Sequence, residues 1–436
     1  MVEIFDGLRA EIAEIEPVRS VGRVVESGRG TFIVTGLPMA ALGDRVVVET
    51  GAGPLGGEIV RLSAAGATVL PEDDPEGLIL GARAILLGPA TIAPDASWLG
   101  RIVDPTGRPL DGRPLMRGTQ RRAMTGSPPP AAERRAMGER LSTGIAVFDT
   151  LLPLVRGQRI GLFAGSGVGK SSLLAKFARG LAAAVVVIGL VGARGREMRD
   201  FTERVLGREG MARSVVVTAT SDQSPLMRRR CALSAMAVAE HFRDQGLHVL
   251  LLVDSVTRYA EAHREVALAS GESASLRGYP PSTAHAIMGL AERAGPGAGH
   301  SGDITAVFSV LVAGSDMEEP VADIIRGTLD GHVVLDRKIA ERGRYPAIDL
   351  LRSVSRSLPD AASPAENALI GDARRTLGAY DRAEMMVQAG LYVQGTDPAV
   401  DRAIRLWPLL DGFLAEDAPA GGPDASFVRL KACLPG

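Results

Sequence analysis

The chain has 436 residues, 46% of them hydrophobic, with 49 Lys+Arg set against 51 Asp+Glu. That length accommodates two or three domains with sizeable cores, and a net charge of −2 excludes the bulk basic field that drives nucleic-acid binding. Two cysteines, Cys231 and Cys433, stand far apart in no metal-ligand spacing, which fits a reducing cytoplasm and not a disulfide framework. No stretch approaches the ~20 apolar residues needed to span a bilayer, and the first residues lack the basic, apolar and small-residue order of a signal peptide.

In chain order, Ile4, Phe5, Leu8, Ile12 and Ile15 recur at helical spacing among Glu3, Asp6, Glu11 and Glu14. This spacing predicts an amphipathic helix over 1–17, closed by Pro17, that reads equally as a lid on the next domain or as a partner-docking helix. Over 18–88, short β-branched runs at 21–25, 31–34, 45–49, 58–62 and 68–70 alternate with glycine turns, the texture of a small β-barrel. Residues 117–140 are rich in Arg, Pro and Ala, and Pro128, Pro129 and Pro130 exclude a helix interior or a central strand, so an extended connector is expected. Its arginines, Arg117, Arg121, Arg122, Arg134 and Arg135, read as a solvated linker face in preference to a phosphate-binding patch.

From 157 to 334, apolar runs at 160–163, 185–191, 215–218, 248–253 and 304–312 alternate with helix-length segments. The fold class expected is an α/β P-loop core, a parallel sheet covered on both faces, with a β-barrel before it and a helical domain after it. Beyond 359 the chain turns helical and polar at 364–393 and 397–414 and ends in a Pro/Gly-rich tail. The layout is therefore 1–17, 18–88, 89–358 and 359–436.

The chemistry concentrates at 164–171, where Ala-Gly-Ser-Gly-Val-Gly-Lys-Ser follows the apolar run 160–163. Strand, glycine loop and helix form a phosphate cradle, because loop N–H groups and the helix N-terminus converge on the anion. Lys170 would neutralise the β- and γ-phosphates of ATP, and the Ser171 hydroxyl would ligate Mg²⁺. The nucleotide-binding set is Gly165, Ser166, Gly167, Val168, Gly169, Lys170, Ser171 and Ser172. Ala164 replaces the first glycine of the usual template. Further on, Leu250-Leu251-Leu252-Val253 runs into Asp254, a strand-end carboxylate that can hold the Mg²⁺ hydration shell.

With these residues in view, 164–171, 251–259 (LLVDSVTRY), 277–282 (RGYPPS), 303–312 and 321–356 together resemble the rotary-type ATPases. Within them the chain looks like the flagellar type III protein-export ATPases, relatives of the ATP synthase β subunit. The resemblance covers 18–356 with strong motifs and the helical tail more loosely. It implies that Tyr345 stacks on adenine and that Arg356 is an arginine finger completing a neighbouring subunit's site. Arg194 is implied to reach the γ-phosphate.

One departure bears on chemistry. The family pattern after the second core strand is Gly-Glu-Arg, whose Glu polarises the attacking water, whereas this chain reads Gly192-Ala193-Arg194. Losing a general base typically costs ~10²–10⁴ in rate. Three accounts stay open: Glu197, one helical turn on, substitutes; ATP is bound but hydrolysed slowly; or the alanine is a substitution that traps nucleotide. The resemblance further implies a homohexameric ring in the cytoplasm, peripherally attached to an inner-membrane export gate. Its implied partners are a stator-like regulator at the first helix, a coiled-coil stalk in the pore, and export substrates with their chaperones. An injectisome ATPase or a weakly hydrolysing ring subunit are the alternatives. An RNA translocase is disfavoured, since 18–87 contain one aromatic, Phe32.

Overall fold

The computed structural model describes residues 12, 18–28, 30–312 and 319–435. The amphipathic helix expected over 1–17 therefore lies outside the described residues, Ile12 apart.

Six strands, β1 (Val21–Ser27), β2 (Phe32–Thr35), β3 (Asp44–Thr50), β4 (Gly53–Ser63), β5 (Gly66–Pro71) and β6 (Arg83–Pro89), close a barrel in the order β1-β2-β5-β4-β3-β6. Alternation puts Val24, Val34, Val46, Val48 and Val69 inside it, because successive side chains of a strand face opposite sides. Strand β4 begins well before its β-branched run, since glycine is required where the backbones crowd. A Cβ on Gly56 would fall 2.1 Å from a Glu72 carboxylate oxygen.

Past the barrel come β7 (Thr91–Ile92), β8 (Arg101–Val103) and β9 (Arg122–Ala123), with β7 and β9 paired as an antiparallel ribbon. The core sheet adds β10 (Arg159–Ala164), β11 (Val185–Ala193), β12 (Ser214–Thr220), β13 (Val249–Asp254), β14 (Ile304–Leu311), β15 (Gly331–Leu335) and β16 (Ile348–Ser355). Its eight strands lie in the order β16-β15-β10-β14-β13-β11-β12-β8. All neighbours run parallel except β15 and β16, which are antiparallel. Leu162, Ile188, Leu250 and Val307 pack on one face, and Phe163, Val187, Leu251 and Phe308 on the other. Burial of both faces explains why these strands read as continuous apolar runs and not as alternating ones.

Two readings of the sequence need correction. The connector arginines are not a solvated face: Arg134 pairs with Glu292 at 3.2 Å, Arg135 with Asp303 at 2.6 Å and Arg122 with Asp244 at 2.7 Å, fastening the connector to the core. The C-terminal tail also holds a helix, Gly422–Ala432, after the helices Pro364–Gln388 and Pro398–Phe413. Phe427, Leu430 and Cys433 of that tail join the core cluster on the helix-bearing face. No helix among the described residues is long and apolar enough to cross a membrane.

Candidate nucleotide site

Strand β10 stops at Ala164, and the loop Gly165–Gly169 turns the chain into the helix Lys170–Gly180. Ala164 is fully buried and still carries ladder partners, Leu311 and Leu335, so the template's first glycine position belongs to the strand here. Gly167 and Gly169 adopt φ of 78° and 87°, the left-handed region that side chains resist. Val168 is buried and anchors the loop while Ser166 and Gly167 stay exposed to a ligand.

Lys170 heads the helix and its ammonium is hydrogen-bonded and ion-paired to Asp254 Oδ1. Asp254 ends β13, two strands from β10, and Ser309 on the intervening β14 donates to the same Oδ1 at 2.7 Å. Both bonds fall on Oδ1, which leaves Oδ2 for other work. Ser309 escaped the sequence reading, although a lone hydroxyl in an otherwise apolar buried strand was a usable signal. Arg337 also reaches the loop, donating to the Ser166 carbonyl at 3.4 Å.

Tyr345 lies just before β16 and is half-exposed, with its ring against the loop. A Cβ on Gly169 would sit 3.0 Å from Tyr345 Cδ1. Glycine at 169 thus serves two ends, the helix-entry conformation and room for this ring.

Ala193 closes β11 at a bulge where Gly192 has φ of 63°. Since Leu190 is in register with Asp254 on the neighbouring strand, Ala193 stands three residues beyond it, roughly 10 Å at strand rise. Arg194 is 77% exposed and Glu197 is 59% exposed. The Glu197 carboxylate turns back to accept from the Arg194 N–H at 3.4 Å, capping its own short helix Gly195–Asp200. Neither residue is directed at Lys170 or Asp254 by any contact among the described residues. Ser171 and Ser172 occupy the exposed first turn of the loop helix. The Ser171 hydroxyl and the Asp254 carboxylate form a hard-oxygen set that suits Mg²⁺.

Arg356 lies elsewhere. It follows β16 at the end opposite the loop and is exposed, donating to the Leu329 carbonyl at 3.1 Å and the Arg326 carbonyl at 3.4 Å.

A phosphate loop at the carboxyl edge of a parallel sheet, with its lysine clamped to a strand-end carboxylate, defines a P-loop nucleoside triphosphatase. Residues 144–355 match the model of the ATP synthase alpha/beta family, nucleotide-binding domain, and residues 362–420 match the T3SS EscN ATPase C-terminal domain. A flagellum-specific ATP synthase of Caulobacter vibrioides is 44% identical over 98% of this chain and 98% of its own length. A type 3 secretion system ATPase of Xanthomonas euvesicatoria is 40% identical over 94% of this chain and 92% of its own. Among solved structures, the assembled ATPase EscN of enteropathogenic E. coli superposes with a TM-score of 0.88 at 33% identity, covering 95% of this chain and 100% of EscN. EscN in complex with its central stalk EscO gives a TM-score of 0.86 at the same identity and coverage. The chain belongs to the ATP synthase alpha/beta family, in the branch of the flagellar and type III secretion ATPases, and its enzymatic class is ATP hydrolysis.

Proposed function

We propose that this chain is the ATP-hydrolysing motor of a flagellar type III protein export apparatus, acting as a homohexameric ring in the cytoplasm. The observation that carries this reading is the split of the site: the loop, Lys170, Asp254 and Tyr345 sit at one end of the sheet and Arg356 at the other. A chain so built needs a neighbour to complete its pocket, and a closed ring meets that need for every copy. The greater identity to the flagellum-specific relative than to EscN supports the flagellar branch. The EscN–EscO complex supports a stalk in the pore. A stator-like regulator at the first helix, a membrane export gate, and export substrates with chaperones complete the proposed partner set.

In this reading the loop N–H groups from Gly165 to Gly169 cradle the phosphates, and Lys170 moves from Asp254 to the β- and γ-oxygens as ATP enters. Tyr345 covers the adenine, and its apolar ring face needs no particular base edge. Ser171 and Asp254 would hold Mg²⁺, which supplies charge neutralisation on the β- and γ-phosphates. Arg356 of the adjacent copy, with Arg194, balances charge gathering on the transferred phosphoryl group.

The water-activating group is the weak point, because Ala193 offers a methyl and Glu197 is engaged as a helix cap. This observation favours a second reading, a ring subunit that binds ATP firmly and hydrolyses it slowly. Steady-state turnover measured against protein concentration separates the two. The motor reading expects turnover per chain to rise cooperatively with concentration, and Ala193→Glu to raise it by on the order of 10² or more. Glu197→Gln is expected to change turnover less than twofold in either background. Turnover flat with concentration would sink the composite-site motor, and a large loss in Glu197→Gln would identify that residue as the base.

A further inference from the structure

A cavity of about 730 Å³ opens where the barrel meets the core, well away from the phosphate loop. Five arginines line it, Arg19, Arg45, Arg108, Arg117 and Arg121, and no carboxylate does. Arg45 is already balanced by Glu72 at 3.2 Å, yet the wall remains strongly cationic. So dense a run of guanidiniums around one concavity calls for an anionic occupant, since like charges close together repel and focus a positive potential.

The chain supplies a candidate at the cavity's own edge. Arg19, a lining residue, directly follows the segment 1–17, which carries Glu3, Asp6, Glu11, Glu14 and Glu16 against the single cation Arg9. At helical spacing, Glu3, Asp6 and Glu14 fall on the side opposite Ile4, Leu8, Ile12 and Ile15. Ile12, the described residue of this segment, is helical and 58% exposed. We propose that the acidic face of residues 1–17 seats in cis on the arginine-lined cavity between barrel and core, leaving the apolar stripe outward for a partner. The arginines of the connector, Arg117 and Arg121, thereby have a task that the nucleotide site does not give them. The same geometry ties exposure of the stripe to the barrel–core junction and makes the contact sensitive to ionic strength.

Cysteine cross-linking on the full-length chain tests this. The native thiols do not interfere: Cys231 is buried, which pushes its thiol up to about 12, and burial also raises Cys433. Glu14→Cys combined with Arg117→Cys should give an intramolecular product with a short bismaleimide, in a yield unchanged by tenfold dilution. A decoy pair, Glu14→Cys with Val428→Cys, should give at least tenfold less. Raising NaCl from 50 mM to 500 mM should cut the first yield severalfold. In parallel, Arg108→Glu with Arg121→Glu should speed tryptic cleavage after Arg9 about tenfold, and adding Glu3→Arg with Asp6→Arg should restore protection. Products formed only between chains would hand the cavity to a second copy's segment and overturn the cis contact. A yield abolished by 5 mM inorganic phosphate at constant ionic strength would assign the cavity to a small anion and overturn it too. A yield equal to the decoy's, with cleavage indifferent to the charge reversals, would remove the proposal outright.

Discussion

Tyr345 and Arg356 stand at opposite ends of one edge strand, β16. Ile348, just past Tyr345, pairs with Leu335 at the phosphate-loop end of β15, whereas Ser355, just before Arg356, pairs with Gly331 at the far end. Eight residues of strand separate the two ends, about 26 Å at the usual rise. A nucleotide held by the chain's own loop and covered by Tyr345 is beyond the reach of its own Arg356.

This separation gives a mixing prediction. Arg356→Ala alone should lower turnover by on the order of 10³, the scale of a lost arginine finger, with ATP affinity little changed. Lys170→Ala alone should abolish turnover through the phosphates. Mixing the two inactive chains should recover a substantial part of the activity, because some interfaces then combine an intact Lys170 with an intact Arg356. ATP turnover of the mixture against each variant alone is the measurement, and no recovery on mixing would mean that both residues serve one chain's site.

Tyr345 carries its own prediction. Its ring packs against Gly169 and is half-exposed, free to receive a base on its outer face. Tyr345→Ala should weaken ATP binding by about 1–3 kcal/mol, the worth of one base stacked on an aromatic, and Tyr345→Phe should not. Titration calorimetry with a non-hydrolysable ATP analogue reads both variants. Equal losses in the two would point to the hydroxyl and away from stacking.

Much of this architecture was open to a reading of the residues, for reasons that are local. The loop announces itself because positive φ and close phosphate approach demand glycine, and the core strands because burial on both faces makes them continuous apolar runs. What local reading missed depends on distant partners. Arg134 and Arg135 looked like solvated linker residues, since Glu292 and Asp303 lie more than 150 positions away. Strand β6 is only partly buried along its length and carries weak alternation. The tail helix begins at Gly422-Pro423, a loop signature until Phe427 and Leu430 find the core. The trans placement of Arg356 likewise follows from the antiparallel run of β16, which spacing alone does not reveal.

The barrel is fixed to the core by buried charge, and this sets a stability prediction. Arg230, 1% exposed, bonds Glu58 Oε2 at 2.8 Å and also pairs with Glu72, while neighbouring Arg229 pairs with Glu58. Burial alone would push the Glu72 carboxyl up, yet Arg230 and Arg45 outweigh it and hold it below the usual range. Arg230→Ala strands two carboxylates in the interface and should cost about 3–5 kcal/mol. Arg230→Met with Glu58→Leu and Glu72→Leu removes all three buried partners and should recover most of that loss. Denaturant unfolding followed by circular dichroism compares them. If the single alanine unfolds like the parent, the triad contributes nothing to holding the barrel in place.

The final prediction concerns acid. His248 is buried at the start of β13, with its Nε2 2.8 Å from Thr305 Oγ1, and Thr305 Oγ1 accepts from the Gly157 N–H at 2.9 Å. The Thr305 hydroxyl therefore gives its own proton to Nε2, an arrangement that only a neutral imidazole can accept. Burial first, and the Arg156 charge second, lower this histidine to about 4. In the unfolded chain it titrates near 6.5. The unfolded state thus binds the extra proton between these values, so stability is full above about 6.5 and falls as pH drops toward 4. By pH 4.5 this one group should have withdrawn roughly 2.5 kcal/mol. His248→Gln keeps a polar partner for Thr305 and cannot titrate. It should flatten the fall in unfolding free energy between pH 7 and 4.5 by about that amount, whatever its cost at pH 7. Parallel slopes for the two proteins would show that His248 is already charged, or already hydrated, in the folded state.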